Sequence, residues 1–215
     1  MAIIDSQIHA YEANTPKRPW KTVPDSPPSA TGDEHVAAMD KLGVDGAILH
    51  PPSWDLGSNE MADAACTKYP DRFCSLGWFP LNDPSQRSRI ETWKQRPNMM
   101  GLRWALTRPE QQTWHEDGTM DWLWPAAEKA GTPVATMAWR FLKLFAQIAE
   151  RHPNLKLIVD HLGTPRNTKD EAAFADMGDL LALAKYPNVA LKASEASRYE
   201  TGPASTMMCS AVSSI

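Results

Sequence analysis

The chain has 215 residues, 42% of them hydrophobic and 22% charged, with a formal net charge of -4. That make-up suits one globular domain with a substantial core, gives no basic footprint for nucleic acid, and holds no apolar run near the roughly 18 residues that cross a bilayer. The first residues lack a basic, then apolar, leader, so cytoplasm is the expected compartment, and the odd cysteine set Cys66, Cys74 and Cys209 matches no zinc spacing and reads as structural thiols.

In chain order the sequence repeats one theme: a short apolar run, a polar loop, a helical stretch. The first run, "IIDSQIHAYE", alternates so that Asp5, Gln7 and His9 share one side of a strand and Ile4, Ser6 and Ile8 the other. Strands are expected at Ala2 to His9, Asp45 to His50, Phe73 to Trp78, Met100 to Leu106, Pro133 to Trp139, Lys156 to His161 and Asn188 to Ala193. Between them "GDEHVAAMDKLG" reads as a helix with Asp33 as cap and Gly43 closing it. "SNEMADAACTKYPDR" does the same with Ser58 as cap and ends before Pro70, and "DWLWPAAEKAG" reads as a helix ending at Gly131. "RFLKLFAQIAERHPN" sets Phe141, Leu144, Phe145 and Ile148 on one face, and "DMGDLLALAKYPN" stops before Pro187.

Helix ends recur in similar words, "KYPDRF", "RHPNLK" and "KYPNVA": a basic residue in the last turn, a proline stop, then an Asp or Asn turn into the next strand. Strand then helix, repeated, implies parallel strands with right-handed crossovers, as in a (β/α)8 barrel or a doubly wound sheet. No glycine-rich phosphate loop follows a strand, which counts against a dinucleotide fold. Polar residues gather instead at strand C-terminal ends, as His9, His50, Trp78, Arg103, Trp139, His161 and Lys192, where a barrel builds its active site.

"DSQIH" resembles the first strand of the amidohydrolase superfamily, whose pattern is Asp-x-His-x-His. "LKLIVDHLG" resembles its sixth strand in the amidohydrolase-related branch, and "GLRWAL" and "NVALKAS" look like the fourth and seventh. The resemblance, over most of residues 3 to 199, implies a TIM-type (β/α)8 barrel and a hydrolase opening a lactone or related cyclic ester or amide of a small carboxylic acid. Non-oxidative decarboxylation is the alternative within the family. His9 and His161 are then the catalytic or metal-binding imidazoles, with Gln7 where the family's first histidine stands. Arg103 suits a carboxylate of an anionic small-molecule substrate, and His50 and Trp139 line the mouth as substrate contacts.

A carboxamide is a poorer zinc ligand than imidazole. Two options therefore stay open: one divalent ion such as zinc held by His9, Gln7 and His161, or a metal-free site in which the imidazoles act as acid, base or hydrogen-bond donors. Asp5 reads as an architectural hydrogen-bond partner, and His35, His115 and His152 as solvated.

The family's eighth strand, with its aspartate, has no counterpart before the end of the sequence, and barrels of this kind typically need about 250 residues. Residues 1–203 are therefore expected to form a barrel domain lacking its eighth unit. Residues 204–215, uncharged and unlike the chain before them, read as an atypical tail suggesting a frame change near residue 203. Open strand edges admit pairing with a second copy. From a different class comes the reading of a truncated chain that folds or associates without turnover.

Overall fold

The computed structural model describes residues 2–21, 27–52, 54–55, 57–106, 109–139, 141–165 and 168–194. The tail expected at 204–215 and Cys209 lie outside them. The chain divides into two compact units, one ending at Trp104 and the other beginning at Ala105.

The first unit runs β1 (Ile4–Ile8), α1 (Gly32–Leu42), β2 (Gly46–Leu49), α2 (Ser58–Lys68), β3 (Phe73–Gly77), a 3-10 segment (Pro84–Gln95) and β4 (Met99–Trp104). Its strands pair in chain order, all parallel, with registers such as Asp5 with Ala47, Ile48 with Cys74, and Leu76 with Gly101. The register shifts between Asp5 and Ile8, just before His9 leaves the ladder.

The second unit runs α3 (Leu123–Lys129), β5 (Val134–Thr136), α4 (Leu142–Arg151), β6 (Leu157–Val159), a short 3-10 turn (His161–Gly163), α5 (Asp170–Ala173), α6 (Met177–Leu181) and β7 (Val189–Leu191). Here Val134 pairs with Leu157 and Leu157 with Val189, again parallel. Helix-linked parallel strands are the repeating unit of a TIM-type barrel. Seven of that fold's strands are present among the described residues, each where the sequence predicts one and shorter than predicted, with β4 beginning one residue early, at Met99. His50, Trp78 and Trp139 stand just past the ladders as loop residues, and His161 opens the 3-10 turn.

Helix ends follow local chemistry, with two corrections: Ser58 opens α2 as its first residue after Gly57 and does not cap it, and the cap of α1 also differs. Thr31, not Asp33, caps α1: its hydroxyl accepts from Glu34 N at 3.3 Å while the Glu34 carboxylate accepts from Thr31 N at 2.7 Å, a reciprocal capping box. Asp33 sits in the first turn and pairs with Lys68. Gly43 closes the helix at φ 71, in the left-handed region that costs glycine nothing. Gly32 admits a close approach of α1 to α2, since a Cβ there would lie 2.9 Å from that of Ala65. The cluster beneath is accordingly built of Ala10, Met39, Ala47, Leu49, Ala62, Ala65, Cys66 and Phe73. Burial pushes the Cys66 thiol up to about 12, which keeps it an inert core group.

The 3-10 segment Pro84–Gln95 was not expected, because only Ile90 and Trp93 are buried along it and no amphipathic period shows. Its signal is local: Asp83 accepts from Ser85 N, and Pro84 takes the first position.

The recurrent helix-end word has a clear structural use in the second unit. After Pro187 the buried amide of Asn188 donates to the carbonyls of Ala149, His152 and Leu155 at 3.2, 3.0 and 3.0 Å, satisfying the C-terminal end of α4. Asn188→Ala should lower stability by about 1–3 kcal/mol, the cost of leaving buried carbonyls unsatisfied, as read from urea midpoints. An unchanged midpoint would show that water replaces the amide.

Candidate active site

In the first unit the C-terminal ends of β1 and β2 are joined through their histidines. Half-buried His9 follows β1, and its Nδ1–H donates to the His50 carbonyl at 2.5 Å. A carbonyl only accepts, so the proton is on Nδ1 and the basic lone pair on Nε2. His50 is fully buried and donates Nε2–H to the Ser6 carbonyl at 2.9 Å, while its backbone N–H donates to Ile8 O at 2.8 Å. His35, on α1, donates Nε2–H to the His9 carbonyl at 2.8 Å, so its ring is tied to the strand end rather than solvated. Gln7 is half-buried in β1, and its backbone N–H is held by the Asp5 carboxylate at 2.9 Å, the architectural role expected of Asp5. Arg103 lies in β4, 6% exposed.

The polar loop after β1 folds back over these ends. The Arg18 guanidinium grips Asp55 through Nε at 3.0 Å and Nη2 at 2.8 Å, and reaches Glu12 at 3.2 Å. Beside it Tyr11, Trp20 and Trp54 pack edge to face, with ring centroids 4.6 to 5.7 Å apart. Sequence reasoning missed this anchor. Its signal, three aromatics and an arginine in otherwise polar loops, becomes readable only once β1 and β2 are neighbours.

In the second unit His161 is 1% exposed at the end of β6. It opens a run of three left-handed residues, His161 at φ 52, Leu162 at φ 58 and Gly163 at φ 62. Two of these are not glycine, a conformation that costs roughly 1–2 kcal/mol per L-residue. The turn is held by Leu162 N donating to Lys192 O at 3.0 Å, Gly163 N to Asp160 O at 2.9 Å, and the Thr164 hydroxyl to His161 O at 2.6 Å. Ser194 Oγ lies 2.9 Å from His161 Nδ1. Next to it Asp160, with no exposure, pairs with Lys192 Nζ at 2.6 Å, from the end of β7. Neither Ser194 nor the ion pair was assigned a role from sequence. The available signal was a charge at the end of each of two apolar runs, "LIVD" and "VALK".

Trp139, half-buried after β5, lines an open cleft of about 510 Å³ with Gln112, Thr113, His115, Glu116 and Asp176. His115 and His152, read as solvated, are both engaged: His115 stacks on Phe141 at 4.9 Å, and His152 Nδ1 pairs with Glu128 at 2.8 Å. That pairing holds the Glu128 carboxyl below its ordinary value. Of the other tryptophans at strand ends, Trp104 is core and donates Nε1–H to Phe79 O at 2.8 Å, while Trp78 is 37% exposed.

A family model described as amidohydrolase matches residues 4–208. The chain belongs to the amidohydrolase family. No curated protein matches it. Among solved structures it is similar to a probable 2-pyrone-4,6-dicarboxylic acid hydrolase from Acinetobacter baumannii, at 19% identity and TM-score 0.68, over 94% of this chain and 74% of that one. It is also similar to an amidohydrolase from Burkholderia multivorans with bound zinc, at 20% identity and TM-score 0.70, over 90% and 69%. A third is a 5-carboxyvanillate decarboxylase from Novosphingobium aromaticivorans with bound manganese, at 21% identity and TM-score 0.53, over 77% and 60%. At these identities the likeness carries the fold. The parallel strands and linking helices described here are therefore those of an incomplete TIM-type barrel, as expected from the sequence.

Two of those structures hold a metal, zinc in one and manganese in the other. Among the described residues no group of three His, Cys, Asp or Glu side chains gathers to hold a metal ion. In β1 a carboxamide, Gln7, stands two residues before His9, where imidazole would bind zinc better. The described donors do not fit a protein-built zinc centre. No helix among them is long and apolar enough to cross a membrane.

Proposed function

We propose that the chain is a hydrolase opening a lactone or related cyclic ester of a small carboxylic acid. What supports the reading is, within each unit, a strand-end imidazole with Nδ1 already engaged: His9 on a carbonyl in the first and His161 on Ser194 in the second. His9 presents a basic Nε2, suited to taking a proton from water. For His161, a Ser194 hydroxyl donating to Nδ1 puts the proton on Nε2, suited to polarising a carbonyl. Arg103 serves a substrate carboxylate and Trp139 substrate contact, while the fully buried His50, expected as a substrate contact, holds the β1 end through Ser6 O instead. Membership of a family of hydrolases supports the reaction class, and the pyrone-dicarboxylic acid hydrolase among its structural likenesses supports a cyclic ester.

The test is a pH-stat screen of purified protein over lactones, with carbon dioxide release measured in parallel. Acid release from a lactone supports the proposal. Carbon dioxide release alone replaces it with decarboxylation, and neither product assigns the chain to the non-catalytic class.

Because the described donors do not fit zinc, hydrolysis should survive dialysis against EDTA within about twofold. Loss of activity that returns on adding zinc or manganese would move His9 and His161 to ligand roles.

A further inference from the structure

His161 and Leu162 stand in succession at φ 52 and φ 58, a backbone state that two non-glycine residues rarely share. Such a turn persists only where its surroundings over-determine it. Three residues at the end of β7 supply much of that constraint. The β6–β7 ladder ends with Val159 beside Leu191, so Asp160 and Lys192 are the first pair beyond it.

Lys192 makes three of the ties. Its N–H donates to Val159 O at 2.9 Å, its carbonyl accepts from Leu162 N at 3.0 Å, and its Nζ pairs with Asp160 at 2.6 Å. One lysine thus holds residues 159, 160 and 162, on both sides of the histidine. Half-buried Ser194, two residues further on, reaches the ring itself, with Oγ 2.9 Å from Nδ1.

Stability alone gives a poor account of the ion pair. Asp160 is without exposure and the Lys192 side chain is 9% exposed, and an apolar pair of similar volume would carry no desolvation cost there. What charge supplies is direction. An apolar contact tolerates sliding, because burial has no preferred angle, whereas Nζ meets the carboxylate only while the ends of β6 and β7 keep one register.

We infer that Lys192 is a positioning residue for His161: by tying Asp160 and Leu162 to the end of β7, it sets the direction of the imidazole and the reach from which Ser194 keeps the proton on Nε2. Resting on the hydrolase reading, this gives the buried pair a part in turnover that is exerted through His161 and not on the substrate.

Long-range 1H–15N spectra of the histidine rings, recorded above the range where imidazoles protonate, report which nitrogen of His161 carries the proton. Loss of a signal in His161→Asn assigns it. The wild-type protein should show the Nε2–H form. The double variant Asp160→Asn, Lys192→Met buries no unpaired charge and should fold by circular dichroism, yet His161 should be shared between its two neutral forms. Its kcat for lactone hydrolysis should fall about ten- to a hundredfold, the effect of a misplaced catalytic group, with KM little changed. Ser194→Ala should give the same mixture of forms, and Ser194→Thr, which keeps a hydroxyl, should restore the Nε2–H form.

A folded double variant with the wild-type His161 signal overturns the inference, as does a wild-type ring protonated on Nδ1 or a loss carried by KM alone. Should the double variant not fold, Ser194→Ala decides, since an unchanged ring signal there removes the link through which Lys192 acts. Lactone hydrolysis with the ring signal intact in the double variant leaves the hydrolase reading standing without the positioning role. The expected spectra from a protein that opens no lactone keep the positioning role and remove the hydrolase reading.

Discussion

His161→Asn should lower kcat/KM for lactone hydrolysis by about 10² to 10⁴-fold, the contribution of a positioned acid or base, while leaving the protein folded. Asparagine is the informative replacement because residue 161 sits at φ 52. Asn enters the left-handed region more readily than Ala or Leu. An alanine there would mix backbone strain with loss of chemistry. The Thr164 and Gly163 bonds that hold the turn use backbone atoms of residues 160 and 161, so they persist in the variant. Ser194→Ala should give a smaller loss, through a ring left free to change tautomer. A His161→Asn enzyme at the wild-type rate, folded by circular dichroism, would remove the imidazole from the reaction.

The second large effect is on stability. Lys192→Met should cost about 3–5 kcal/mol, the penalty for removing one partner of a buried ion pair. Asp160 has no exposure and its cation is only 9% exposed, so water cannot take the place of Nζ without opening the β6 and β7 ends. The double variant Asp160→Asn, Lys192→Met should recover a substantial part of that loss, since no uncompensated charge is then buried. Denaturant midpoints of the two singles and the double measure it. A Lys192→Met protein within about 0.5 kcal/mol of wild type, the range of ordinary surface substitutions, would show that the carboxyl protonates or finds another donor at no cost.

The strands were legible because a parallel strand buried on both faces is a continuous apolar run, as "GAIL" and "LIV" are. The site was legible only as residue types at strand ends. Histidine shows why: His35, His115 and His152 look alike in polar surroundings, yet one donates to the backbone of β1, one stacks on a phenylalanine and one pairs with a glutamate. Each partner is supplied by chain distant in sequence or by a ring in another loop, so composition nearby carries no trace of it. The cap of α1 was missed by two positions for the opposite reason: Thr31 and Asp33 are both good local candidates, and the Glu34 carboxylate, reaching back to Thr31 N, decides between them.

The turn from His161 to Gly163 also bears on how the proposed activity can be altered. Its imidazole is aimed by peptide planes, since χ rotations act only after the backbone has set the direction of Cβ. A methyl group at residue 163 would meet Leu142 at 3.0 Å and Val159 at 3.3 Å, so the packing of α4 and β6 decides where the residue proposed for the chemistry points. Sequence drift in that apolar layer therefore reaches turnover without touching a polar atom, and laboratory evolution of a new substrate would find adjustable positions there as well as around the ligand.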